Sequence, residues 1–165
     1  MSALTASALA SAFHLLALGI GLGAVWARFL ALKGVARAAA GPGAVDPAAL
    51  RRVFTADSWW GLAAALWIGT GLWRALGPVA KTWAFYRMNA LFHTKMTVFL
   101  LIFLLELMPM IALIRWRIAV KRGQTPDLTQ ARRFARISLV QAHLVVAMAF
   151  LAAFMARGVG MITPS

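Results

Sequence analysis

The chain has 165 residues, of which 62% are hydrophobic and 13% are charged, and it contains no cysteine. Soluble domains average about 45–50% apolar and about 25% charged residues, so this composition excludes a soluble globular domain, a disordered chain and a collagen. The absence of cysteine excludes disulfide scaffolds, thiolate metal sites and cysteine nucleophiles. The net charge of +13 does not indicate a nucleic-acid partner, because the basic residues fall between apolar runs, where they set membrane topology.

Four apolar runs follow one another along the chain, at residues 8–29, 57–76, 90–114 and 134–156. Each is long enough, as a helix, to cross the ~30 Å hydrocarbon core of a bilayer. The first 27 residues contain no Lys or Arg, so the first run is expected to be a mature span and not a cleavable signal peptide. The sequence therefore predicts an all-α protein, an integral membrane four-helix up-down bundle that forms a single domain over residues 1–165.

The residues that flank these runs are typical of helix ends. Gly77-Pro78 is expected to end the second helix, because proline cannot continue one. Asn89 is expected to cap the third helix. Thr125-Pro126 predicts the start of the fourth helix, with proline in its first turn.

The distribution of basic residues predicts the orientation of the chain. Five lie on the side of both termini: Arg74, Lys81, Arg87, Lys95 and Arg157. Twelve lie on the side of loops 1–2 and 3–4: Arg28, Lys33, Arg37, Arg51, Arg52, Arg115, Arg117, Lys121, Arg122, Arg132, Arg133 and Arg136. By the positive-inside rule, both termini are expected outside and both of these loops in the cytoplasm. Residues 81–86 are then expected to form an outer interfacial aromatic belt.

Small residues recur at helical spacing in the first two helices. Gly19 and Gly23 form one such pair, and Gly61, Ala65 and Gly69 continue the pattern. Small residues at this spacing let membrane helices approach closely, so close helix packing is the expected role of both sets.

Ionisable side chains within membrane helices are costly and commonly functional. Lys95 and Glu106 share one face of the third helix, whereas His93 lies on another, about 200° away. Glu106 is expected to turn into the bundle toward a partner, near a kink at Pro109. The full set of intramembrane ionisable residues is His14, Arg74, His93, Lys95, Glu106 and His143.

Two histidines on facing helices at similar depth are a common way to hold a b-type haem in a helical bundle. His14 and His93 are the expected axial pair, with His143 in reserve, and Lys95 and Arg74 are expected to face acidic substituents such as haem propionates. For each histidine alone, a hydrogen bond across a helix pair is the alternative. A tetrahedral zinc site is a poorer match, since it needs about four ligands.

The sequence resembles a family of small bacterial four-helix inner-membrane proteins of unknown function. The motifs that carry the resemblance are residues 13–23, 57–61, 69–74, 85–89, 92–95 and 106–109. The chain is more distantly similar to HemJ-type protoporphyrinogen oxidases, which implies haem binding, and to copper-resistance membrane domains. The matching positions are His14, His93 and Lys95; the rest of the HemJ pattern is absent and His143 has no counterpart.

Three functions are consistent with these patterns. The first is a membrane redox protein that binds b-type haem through intramembrane histidines and oxidises a lipid-soluble reductant, a porphyrinogen or a quinol. The second is an accessory subunit or assembly factor of a larger membrane electron-transfer complex, or a homo-oligomer packed through its aromatic and small residues. The third is an ion or metal permease that uses His14, His143 and Glu106. All three place the protein among lipids in the bacterial inner membrane.

Overall fold

The computed structural model describes residues 2–42, 45–76 and 83–162. Within these ranges the regular elements are all helical, which confirms the all-α prediction. They are α1 (Ala3–Ala38), α2 (Pro47–Leu76), α3 (Trp83–Arg87), α4 (Ala90–Lys121) and α5 (Ala131–Ala156). Helices α1, α4 and α5 are long and apolar enough to cross a membrane. Helix α2 is not among these candidates, since Arg74, four tryptophans and three glycines lower its mean hydropathy.

The helix ends agree with the sequence at the outer side of the predicted bundle. Helix α4 begins at Ala90, and the Asn89 side chain caps it by accepting a hydrogen bond from the Phe92 amide. Helix α5 ends at Ala156, as predicted. At their other ends the long helices continue past the apolar runs. Helix α1 alone has 36 residues, which is about 54 Å of helix, so it extends beyond the hydrocarbon core.

The predicted start of the last helix at Thr125-Pro126 is wrong. Helix α5 begins at Ala131, because the preceding residues form a turn in which the Asp127 carboxylate accepts a hydrogen bond from the Thr129 amide at 3.0 Å. This bond holds the pKa of Asp127 below its usual range. The predicted stop at residues 77–78 and the first two residues of the predicted aromatic belt, 81–82, lie outside the described residues.

The four long helices form an antiparallel arrangement. Helix α1 packs along both α2 and α5, and α4 packs along α5. Helices α2 and α4 lie farther apart, and side chains bridge them: the Trp67 and Phe99 rings meet edge to face, with centroids 6.5 Å apart. The bundle is therefore most open, among the described residues, along the α2–α4 side.

Two apolar clusters fill the interior at different levels of the bundle. One lies toward the loop between α4 and α5 and includes Leu32, Leu113 and Phe134. The other lies nearer the middle and includes Val25, Ile102 and Val145. These layers leave two places where polar side chains enter the interior: between the clusters, and above the middle cluster at the end where α1 begins.

Candidate functional site

A group of polar side chains lies between the two apolar clusters, and we call it the arginine cluster. Its centre is Arg28, whose side chain is fully buried. The guanidinium donates two hydrogen bonds of 2.7 Å to the Glu106 carboxylate, one of 2.9 Å to Asp57, one of 2.9 Å to the Gln141 carbonyl oxygen and one of 3.1 Å to Ser138. All five N–H groups of the guanidinium are thus satisfied, by residues from α2, α4 and α5.

Two further residues complete the arginine cluster. The Trp60 ring lies 5.7 Å from the Arg28 guanidinium carbon, within range of a cation–π contact. Arg117 donates a 2.9 Å hydrogen bond to the second oxygen of Asp57. The charges of two cations and two carboxylates therefore balance within the cluster. Its contacts fit a structural link between helices better than a ligand-binding site.

The arginine cluster confirms one sequence prediction and corrects another. Glu106 does turn into the bundle toward a basic partner. Helix α4 continues through the buried Pro109, and the predicted kink there stays a prediction. Arg28 was placed with the residues of the loop side, whereas it is buried in the core. The sequence signal for this is that Phe29, Leu30 and Leu32 continue the apolar run beyond Arg28.

A second polar feature is a cavity of about 800 Å³ above the middle apolar cluster, which we call the outer cavity. All four long helices and α3 line it. Its walls are mostly apolar, with Leu18, Phe99 and Met148 among them. The basic residues that line it are His14 from α1, Arg74 from α2 and Lys95 from α4. The tertiary structure thus brings together three of the five predicted site residues.

Both ring nitrogens of His14 are hydrogen-bonded. The Trp67 indole donates to Nε2 at 3.0 Å, and Nδ1 lies 2.9 Å from the Thr70 hydroxyl. Because an indole N–H can only donate, Nε2 is the acceptor and the proton of the neutral ring lies on Nδ1. The Thr70 hydroxyl in turn donates to the Leu66 carbonyl at 2.7 Å. His14 therefore joins α1 to α2 as a satisfied histidine.

Lys95 and Arg74 have no acidic partner among the described residues. The chain has only four acidic side chains. Asp57 and Glu106 belong to the arginine cluster, and Asp46 and Asp127 accept backbone hydrogen bonds in turns outside the cavity. No acidic side chain of the protein therefore neutralises the two cationic side chains in the outer cavity.

His93 and His143 do not line the outer cavity. The His93 ring is exposed, and its Nε2 lies 3.0 Å from the Arg87 carbonyl oxygen. Lys95 lies on the other face of α4 and turns inward, as the helical phase of the two residues requires. The exposed His143 ring lies 2.8 Å from the Leu139 carbonyl of its own helix. Within the described ranges, no group of three or more His or acidic residues is arranged to hold a metal ion.

Residues 6–160 match the family described as "Predicted membrane protein (DUF2214)", and the chain belongs to this family. The prediction of a membrane protein from a family of unknown function is thereby confirmed. No curated protein and no solved structure matches the chain, so the comparisons do not support the similarity to HemJ-type oxidases or to copper-resistance domains.

Proposed function

We propose that this protein binds an acidic, lipid-soluble molecule within the membrane, in the outer cavity. The observation that carries the proposal is the pair of cations, Lys95 and Arg74, that line an otherwise largely apolar cavity without a carboxylate partner. An unpaired charge at membrane depth is costly, and an anionic group brought in by a ligand would offset that cost.

The dimensions and surface of the outer cavity suit such a ligand. Its volume of about 800 Å³ lies within the ~300–1,000 Å³ that is typical of small-molecule sites. The apolar walls would cover the body of the ligand, and the two cations would hold its acidic end.

A route from lipid to the outer cavity lies along the open α2–α4 side of the bundle. Ile68 and Leu72 of α2 and Met96 of α4 line the cavity and are also exposed on the outer surface. A molecule dissolved in the hydrocarbon would meet these side chains first. This supports a ligand that enters sideways from the bilayer.

We further propose that α2 is a fourth span and that both termini lie outside the bacterial inner membrane. The support is that α2 has 30 residues and packs along the membrane-capable α1, together with the eleven-to-five distribution of basic residues that remains when the buried Arg28 is left out. A fluorescent reporter that matures only in the cytoplasm is expected to be dark when fused after Ser165 and bright when fused after Gln124. The reverse pattern would contradict this topology.

Binding to the outer cavity can be tested with oleate and its uncharged methyl ester as probes. Lys95→Met/Arg74→Met is expected to weaken oleate binding by at least about tenfold, because a hydrogen bond to a charged group contributes about 1.5–3 kcal/mol. Binding of the ester is expected to change little. The measurement is equilibrium binding to the purified protein in detergent.

The matched control is Lys33→Met/Arg115→Met, which removes one Lys and one Arg that are exposed at the other end of the bundle. It is expected to bind oleate like the parent. Equal affinity of the parent for oleate and its ester, or unchanged oleate affinity of the cavity variant, would overturn the proposal.

A haem-dependent redox function is the second candidate, and the observation that favours it is that His14 lines the same cavity as Lys95 and Arg74. The described residues do not fit a bis-histidine haem, since both His14 nitrogens are engaged and neither other histidine reaches the cavity. A Soret band in the absorption spectrum of the purified protein would support this candidate.

A further inference from the structure

A groove of about 1,100 Å³ runs between α1 and α2 on the outer surface of the bundle, and we call it the α1–α2 groove. Small residues make up more than half of its lining, among them Gly23 and Gly34 of α1 and Ala49 of α2. Two adjacent arginines of α2, Arg51 and Arg52, line it as well. This groove is separate from the outer cavity and shares no lining residue with it.

Packing among the described residues does not explain the glycines of the groove. A Cβ atom added at Gly23 or at Gly34 would meet nothing within 4 Å. The predicted role of Gly23, close helix packing, is therefore not seen inside the bundle. The missing side chains leave open space at the surface that an external molecule can fill.

The charges of the groove point to an anionic occupant. Arg51 and Arg52 are exposed and form no ion pair among the described residues. The carboxylate side chains of Asp57, Glu106, Asp46 and Asp127 are all engaged elsewhere, as described above. None of the four acidic side chains of the chain is therefore paired with Arg51 or Arg52, which leaves this arginine pair open to an external anion.

The length of the groove indicates what the rest of the occupant is. Its lining extends from Ile20 to Gly34 on α1 and from Ala48 to Trp59 on α2, which is about 21 Å and about 16 Å at 1.5 Å per residue. Both lengths are nearer to the ~15 Å depth of one leaflet than to the ~30 Å of the whole hydrocarbon core. A transmembrane helix of a partner would contact the surface over the whole ~30 Å.

We infer that the α1–α2 groove binds an anionic phospholipid, with its phosphate on Arg51 and Arg52 and an acyl chain along the small lining residues on the membrane side of this pair, such as Gly23. The lipid belongs to the leaflet at the α1–α2 loop, where basic residues near the surface attract anionic lipids. This inference is independent of the function proposed for the outer cavity.

Native mass spectrometry of the purified full chain tests the inference, with phosphatidylglycerol and phosphatidylcholine as the added lipids. The parent is expected to retain phosphatidylglycerol in preference to phosphatidylcholine. Arg51→Gln/Arg52→Gln is expected to lose at least about tenfold of that preference, since each basic residue near an anionic lipid contributes about 1 kcal/mol. The control Arg132→Gln/Arg133→Gln removes another exposed arginine pair and is expected to behave like the parent.

A second variant tests the acyl-chain part of the groove without removing charge. Gly23→Leu is expected to displace the acyl chain and weaken retention of the lipid, while the fold tolerates it because the added atoms enter open space. The control is Gly61→Leu, at a glycine that is equally open and does not line the groove. Equal retention of the two lipids, unchanged retention by both groove variants, or a stable dimer that Gly23→Leu disrupts would overturn the inference.

Discussion

Replacing Arg28 with methionine is expected to lower the free energy of unfolding by about 3–5 kcal/mol. The change leaves the Glu106 carboxylate without its buried cation, and Asp57 loses one of its two cationic partners. Removing one member of a buried ion pair destabilises a protein by about this amount. It also leaves Gln141 and Ser138 without their donor. The measurement is reversible unfolding in mixed micelles followed by circular dichroism.

The control for this prediction is Arg117→Met. Arg117 also pairs with Asp57, but its side chain is 32% exposed, so its ion pair is expected to contribute no more than about 1 kcal/mol. A loss at Arg28 that does not exceed the loss at Arg117 would contradict the central role of Arg28 in the arginine cluster.

The double change Arg28→Met/Glu106→Met is expected to destabilise the protein less than the sum of the two single changes. Each single change leaves one charge buried without its partner, whereas the double change removes both and fills the space with apolar side chains. Residues in direct contact within one network show coupling energies of about 0.5–3 kcal/mol. With two hydrogen bonds of 2.7 Å between these residues, we expect a coupling of at least about 2 kcal/mol.

The measurement for the double change is a double-mutant cycle under the same unfolding conditions. The matched cycle uses Arg117 and Asp57, whose pair is only partly buried, and its coupling is expected to be smaller. Additive effects of Arg28→Met and Glu106→Met, within about 0.5 kcal/mol, would show that the two residues do not act as a buried pair.

The sequence by itself determined the class of the protein and several helix ends. A composition of 62% hydrophobic residues is enough to indicate membrane helices. Composition reflects the solvent that surrounds the folded chain and does not depend on any particular contact within it. The cap at Asn89 and the partner expected for Glu106 were also predictable, since a helix N-terminus needs an acceptor and a buried carboxylate needs a cation. These inferences depend only on a residue and its immediate neighbours in the chain.

The functional roles of individual residues depended on contacts between distant parts of the chain. Arg28 looked like a loop-side cation, and only the approach of α2, α4 and α5 shows that five acceptor contacts compensate its burial. For His14 the sequence left open a haem ligand or a hydrogen bond across a helix pair, and the packing of α2 supplies the partners Trp67 and Thr70. Helical phase separated His93 from Lys95 in the sequence, but the rotation of α4 in the bundle decided that Lys95 lies inside. Rotation and pairing of helices result from packing over many residues, and therefore only the tertiary structure decides which polar side chains share a cavity.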